Sequence, residues 1–302
     1  MLAIIAPGQG SQTPGMFNSW VTNPVFHELL SRWSMRIDLD LIGLGTKADA
    51  DEIKDTANAQ PLIVAASLLG AHALGIKNFA YTSGHSVGEL AAAAISGAIG
   101  DEDALRLVRA RGIEMAKAAA LSPAGMSAVL GGDREVVLKK LEELKLVAAN
   151  DNGGGQIVAA GDLAALAALS ENPPEGARVR ALAVAGAFHT SFMEPAVEPL
   201  RTLAATIQTA PTTISVISNK DGEVVSDGGE VLTRIVNQIA NPVRWDLCMQ
   251  TLKNLGVTGV IELPPAGTLV GLLKRGAPEI ETFALKSADD LSAAKEFAGR
   301  HA

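Results

Sequence analysis

The chain has 302 residues, 48% hydrophobic, 4% aromatic and 19% charged, with a formal net charge of −8. That length supports one large core or two smaller ones, and the acidic balance argues against nucleic acid as the partner. The single cysteine, Cys248, excludes an internal disulfide and fits a reducing cytoplasm.

In chain order, residues 2–6 read as a strand, with no basic n-region and apolar h-region of signal type around them, so a cytoplasmic location is expected. The strand opens into "PGQGSQTPG". Glycines after a strand commonly cradle a phosphate. Here the third slot of G-x-G-x-x-G is Thr13, and no G-K-[ST] follows, so neither a dinucleotide nor a Walker loop is expected. Residues 23–35 read as a helix, 61–74 as a helix opened by Pro61, and 79–82 as a strand. Two alanine-rich helices follow over 87–98 and 102–121. The stretch 56–76 lacks Asp, Glu, Lys and Arg but contains Asn58, Gln60, Pro61 and His72. It is read as a helix buried in a core rather than as a membrane span.

The pattern then changes to strand 126–130, helix 133–144, strands 147–150 and 156–160 around "NDNGGG", helix 162–170 and strand 179–184. This β-α-β-β-α-β order is ferredoxin-like and predicts an inserted subdomain over 125–185 within a parent α/β core of 1–124 and 186–302. The core continues with helix 195–207, strand 214–218, the turn "NKDG" and helix 230–240. Strand 259–263, the turn "PPAG" and helix 268–275 close it, and 289–302 reads as an exposed terminal helix.

The chemistry is expected at Gly84-His85-Ser86-Val87-Gly88, a G-x-S-x-G between strand-like "FAYT" and helical "ELAAAAISG". In that setting the serine occupies a strained tight turn, and the Val87 N–H at the helix start can face an oxyanion. A serine hydroxyl needs a base. His301 is terminal, His27 and His72 lie in predicted helices, and His85 should diverge from its neighbour. His189 in "VAGAFHTSFM" remains, as the base or as a hydrogen-bonded loop residue. The opening turn acquires a role too: glycine-flanked Gln9 can offer a second N–H to the oxyanion.

The ordered motifs "PGQGSQ", "GHSVGE", "RARG", "GAFH" and "NPVRW" resemble the malonyl-CoA:acyl carrier protein transacylases of fatty acid and polyketide synthesis, of the actinobacterial type. The likeness runs through essentially the whole chain. It implies an α/β-hydrolase-like core with a mostly parallel sheet plus a ferredoxin-like insert. It implies Ser86 as the acylated nucleophile, His189 as its base, and the Gln9 and Val87 amides as the oxyanion hole. It implies Gln238 as the residue whose carbonyl orients the histidine, in place of an acidic third member. Arg111 corresponds to the arginine that holds the free malonyl carboxylate, whereas Arg106 and Arg109 fit a solvated helix face. Asn152 matches a position near the acyl pocket, with a turn asparagine an equally good account. Phe188 and Val87 resemble residues that accompany malonyl over methylmalonyl selectivity. One departure is visible: family members usually carry a G-P-G-like turn after the residue that here is Glu262, where this chain reads Leu263-Pro264-Pro265-Ala266-Gly267.

The partners implied are malonyl-CoA and acyl carrier protein. Coenzyme A enters only as a substrate thioester, and phosphopantetheine belongs to the carrier. No cofactor, metal, nucleic acid or membrane is expected, and the chain is expected to act as a monomer. At −8 it repels anionic carriers at long range, so Lys220, Arg244, Lys274 and Arg275 are candidates for a local basic patch. A serine thioesterase or hydrolase is the alternative, although such enzymes place their histidine late, and more than a hundred residues follow His189. A non-catalytic carrier-docking module is the other.

Overall fold

A computed structural model describes residues 1–302. Strand β1 (Leu2–Ala6) is buried at every position, as suits a central strand covered on both faces. Helices α1 (Pro24–Ile37), α2 (Leu41–Thr46) and α3 (Thr56–Leu74) follow, each started by a side-chain cap: Asn23, Asp40 and Asp55 accept from N–H groups of the first turn. Pro61 does not open α3, as expected from sequence, but lies inside it. The proline cannot donate to Ala57 O, and Arg109 Nη1 takes that carbonyl instead at 2.9 Å. The helix therefore survives its proline, and Arg109 is committed to it rather than solvated. Although α3 is long and apolar enough to cross a membrane, 72% of its most apolar window is buried inside the protein.

Strand β2 (Tyr81–Gly84) runs two residues later than expected, because pairing with β1 in register Ala3↔Tyr81 to Ala6↔Gly84 sets its ends. Helices α4 (Gly88–Ile95) and α5 (Asp101–Ala119) follow; α5 carries Asp101, Glu102 and Asp103 in its first turn, against the positive end of its dipole.

The next segment forms β3 (Ala124–Gly131), α6 (Arg134–Glu143), β4 (Val147–Asp151), β5 (Gln156–Asp162), α7 (Leu163–Glu171) and β6 (Ala177–Ala181). Asp133 and Asp162 cap the two helices. Beyond Ala181 the chain leaves the sheet earlier than expected, since edge strand β6 pairs only with β3.

After α8 (Glu194–Ala204) come β7 (Ser215–Ile217), β8 (Val224–Val225), α9 (Gly228–Gln238), β9 (Val243–Arg244) and α10 (Trp245–Asn254). Strand β10 (Gly259–Glu262), α11 (Thr268–Gly276), β11 (Glu281–Ala284) and α12 (Leu291–His301) complete the chain.

Two sheets result. The larger has order β11-β10-β1-β2-β7-β8, parallel except for β8. The smaller has order β6-β3-β5-β4-β9. Its first four strands are antiparallel in the ferredoxin-like arrangement, and β9, from the parent fold, adds parallel to β4.

The terminal helix α12 is not exposed as a whole. Ala294, Phe297 and Ala298 are buried where it packs on α3, β10 and β11. The proline-containing turn after β10 is held by Glu262, whose carboxylate accepts from Gly267, Leu269 and Val270 N–H at 2.9–3.0 Å and so caps α11.

Candidate active site

Strand β2 stops at Gly84 and α4 begins at Gly88, so three residues turn the chain at the C-terminal edge of the larger sheet. Ser86 at their centre has φ +52°, a left-handed conformation that side chains rarely adopt. Both flanking glycines are required sterically. A Cβ on Gly84 would fall 2.0 Å from the Gly88 carbonyl carbon, and one on Gly88 would fall 2.3 Å from Ala6 O. The first turn is also close: a Cβ on Gly8 would meet His85 O at 2.8 Å. Ser86 N–H donates to Asn219 Oδ1 at 2.8 Å. The N–H groups of Gln9 and Val87 have no intramolecular acceptor.

His189 also has positive φ, +61°, with its N–H donating to Ile239 O at 3.1 Å. Its ring spans 2.7 Å from Nε2 to Ser86 Oγ and 2.8 Å from Nδ1 to Gln238 O. A carbonyl only accepts, so Nδ1 carries the proton and Nε2 is left as an acceptor for the serine hydroxyl. Burial, reinforced by the Arg111 charge, lowers its pKa to about 3. The imidazole is neutral near pH 7 and ready to accept a proton.

Arg111 is buried with 1% exposure, unlike Arg106, which pairs with Asp103 on its own helix. Its Nη1 donates to Gln60 Oε1 at 2.7 Å, and Nη2 donates to Gln238 Oε1 at 3.1 Å and to Ser86 Oγ at 3.3 Å. Its Nε has no acceptor. Desolvation lowers its pKa to about 10, so it remains a cation.

A cleft of about 320 Å³ between the two sheets is lined by Gln9, Ser86, Arg111, Phe188 and His189 on one side and by Met126, Asn150, Asn152 and Val158 on the other. Asn152 Oδ1 lies 2.8 Å from His85 Nε2, and His85 meets the Trp245 ring edge-on at 5.7 Å. Of the two residues expected to set α-carbon selectivity, only Phe188 reaches the cleft; the Val87 side chain packs into the main core. Arg275 lines the cleft mouth and donates to Gln156 Oε1. Arg244 forms two hydrogen bonds with Asp246, which removes it as a free basic contact. A larger cavity, about 650 Å³, lies at the opposite edge of the parallel sheet and includes His72 and Asp101.

Three buried residues of the site escaped sequence reasoning: Gln60, Glu89 and Asn219. Glu89 carried a usable signal, a lone carboxylate directly after the elbow at the head of an apolar helix. Asn219 was legible only as the start of a turn, and Gln60 only as a polar residue in a core helix.

The family model "Acyl transferase domain" matches residues 4–295. A malonyl CoA-acyl carrier protein transacylase of Mycobacterium bovis is 52% identical over 96% of this chain and 98% of its own length. The crystal structure of MCAT from Mycobacterium tuberculosis superposes with a TM-score of 0.94 at 51% identity, over 98% of this chain and 99% of that one. A malonyl-transacylase in complex with its type II PKS acyl-carrier protein reaches 0.91 at 29% identity, over 98% of this chain and 99% of that one. Ordered motifs, two-sheet fold and full-length similarity agree: the chain belongs to the malonyl CoA-acyl carrier protein transacylase family.

Proposed function

We propose that the chain transfers a malonyl group from malonyl-CoA to the phosphopantetheine thiol of an acyl carrier protein, through a malonyl ester on Ser86. Ser86 Oγ attacks the thioester carbonyl while His189 Nε2 takes its proton. The developing oxyanion accepts from the Gln9 and Val87 N–H groups. As the C–S bond breaks, His189 returns the proton to the departing coenzyme A thiolate. In the second half, the carrier thiol gives its proton to His189 and attacks the ester, and Ser86 Oγ leaves and recovers that proton. Gln238 O holds the imidazole in the required tautomer.

The observation that carries this reading is the meeting of three groups. Ser86 Oγ lies 2.7 Å from the His189 base and 3.3 Å from the Arg111 guanidinium. A plain esterase has no use for a buried cation beside its nucleophile, whereas an acyl group ending in a carboxylate does. Phe188 crowds the cleft and disfavours an α-methyl, a discrimination worth about 1–3 kcal/mol. Asn152 fixes His85 at the cleft wall.

The same reading divides the chain into a catalytic core, 1–124 and 186–302, and an inserted unit, 125–185, supported by the ferredoxin-like order of β3 to β6. The reading further takes the chain to be a cytoplasmic monomer that meets coenzyme A only as the substrate thioester. The test is incubation with malonyl-, methylmalonyl- and acetyl-CoA, with and without holo carrier protein. Mass spectrometry should place malonate on Ser86 and then on the carrier. Release of free malonate without a thiol acceptor would instead identify a thioesterase.

A further inference from the structure

Behind the elbow lies a carboxylate that the reaction just described does not use. Glu89, on the first turn of α4, is 2% exposed. Its Oε1 accepts from Asn219 N–H at 2.6 Å, and its Oε2 accepts from Gln238 Nε2 at 2.5 Å. Both donors act on the site. Asn219 Oδ1 accepts from Ser86 N–H, and its Nδ2 donates to Gly84 O at 2.7 Å, tying both sides of the strained turn. Gln238 Nε2 donates to Glu89 and, at 3.1–3.2 Å, to Asn219 Oδ1 and Ser86 O, while Gln238 presents Oε1 to Arg111 and its main-chain carbonyl to His189.

Resting on the reading under Proposed function, we infer that Glu89 is a positioning residue that must be ionised for malonyl transfer, because its carboxylate supplies the shortest and only charged one of the three contacts that keep Gln238 turned toward Arg111. The hydrogen-bond polarity admits one arrangement. Arg111 only donates, so it demands Gln238 Oε1, and Gln238 must then present Nε2 to Glu89. The other Glu89 oxygen faces a main-chain N–H that cannot reverse. A proton on Glu89 makes one oxygen a donor, and the contact able to yield is that with the Gln238 amide, which is then left with only its two longer acceptors, Asn219 Oδ1 and Ser86 O. Displaced from Glu89, the amide no longer holds Oε1 in place for Arg111 Nη2, and the guanidinium keeps Gln60 as its one fixed anchor beside Ser86.

Burial raises the Glu89 pKa to about 7, against smaller opposing contributions from its hydrogen bonds and from Arg111 and Arg234. The charged and titratable groups around it are few. Arg111 of α5 is the buried cation, and Arg234 of α9 is already paired with Asp221 and Glu230. Cys248 of α10 is kept neutral by burial, with its thiol pushed up. On α3 the nearest titratable group, His72, is engaged by Asp101, and Tyr81 of β2 packs in a separate apolar cluster. His189 stays neutral throughout the same range, and burial holds the pKa of His85 in the elbow below its ordinary value. An acid limb near pH 7 therefore belongs to Glu89 and not to the base.

The experiment measures single-turnover malonylation of Ser86 from pH 5.5 to 9 by mass spectrometry, in the wild-type enzyme and in Glu89→Gln, with acetyl-CoA in parallel. The carboxyl ¹³C resonance of Glu89 is followed in the wild type. The wild-type rate should fall about tenfold per unit below an inflection near pH 7, with a coincident ¹³C midpoint. Glu89→Gln, which offers one acceptor where two are needed, should be at least tenfold slower at pH 8, flat from pH 6 to 8, and impaired more for malonyl- than for acetyl-CoA. An inflection that survives in Glu89→Gln, or a ¹³C midpoint near the ordinary carboxyl value, overturns the inference. If the variant does not fold, the wild-type ¹³C midpoint against the kinetic inflection decides. Absence of malonate on Ser86 at every pH defeats the transfer reading itself, whereas a labelled Ser86 with an unmoved inflection defeats only the role of Glu89.

Discussion

His189 and His72 lie at opposite edges of the same parallel sheet, and their surroundings drive them apart. His189 is buried, faces a main-chain carbonyl and a guanidinium, and has its pKa lowered to about 3. His72 is half-exposed, lies 2.6 Å from a carboxylate oxygen of Asp101, and has its pKa raised, chiefly by that hydrogen bond. A carboxylate partner favours the protonated ring, which cannot act as a base. A carbonyl fixes the tautomer without adding a negative charge. In the proposed mechanism Gln238 O takes the place of the acidic third member, while burial, reinforced by the neighbouring cation, keeps the imidazole neutral. The larger cavity, beside His72, lacks these features, and size alone would have pointed to the wrong end of the sheet.

The sharpest contrast between the two edges is in turnover. His189→Ala should lower transfer at least about a thousandfold, with the malonyl adduct on Ser86 lost, while His72→Ala leaves the rate within about twofold. A comparable loss from both would erase the distinction. Next in size is the backbone. Gly84→Ala should destabilise the protein by more than about 4 kcal/mol, read as a large drop in Tm, because its Cβ meets the backbone of Gly88. Gly75→Ala, at the left-handed cap of α3 with only His72 O nearby at 3.8 Å, should cost about 1 kcal/mol.

Arg111→Ala should reduce the preference for malonyl- over acetyl-CoA by about thirtyfold or more, the size expected when one partner of a buried charge pair is removed. An unchanged ratio of the two rates would remove the cation from the account of specificity. The smallest effect concerns the His72–Asp101 pair. Its folded pKa lies above the ordinary 6.5, so its contribution to stability is full below 6.5 and fades as pH rises through the raised value. With His72 about half-exposed, the difference in unfolding free energy between wild type and His72→Ala should stay below about 1 kcal/mol at pH 6 and shrink by pH 9. A difference that grows with pH would mean the pair has been misread.

Much of the fold was legible because local chemistry and hydrophobic period agree. Asp133 and Asp162 start the helices that the pattern placed there, and the β-α-β-β-α-β order survives intact. The misreadings share a cause. Pro61 looked like a helix start, but Arg109, 48 residues away in sequence, satisfies the carbonyl it strands. The terminal helix looked exposed, but the face carrying Phe297 meets α3 and β10. Each outcome depends on a partner distant in the chain, which no local window contains.

Within the site, Ser86 was readable by itself, since G-x-S-x-G between a strand and a helix states a steric requirement that neighbouring residues impose. His189 followed by elimination, and Arg111 and Gln238 by resemblance. Folding alone brought those four together with Gln60, Glu89 and Asn219 into one largely buried network, from α3, the turn between β2 and α4, α4, α5, the loop before α8, the turn between β7 and β8, and the end of α9. The physical reason is one of range. Strain, capping and periodicity act over a few residues and are written in the sequence, whereas desolvation, hydrogen-bond polarity and the balance of buried charge exist only once distant segments have closed around them.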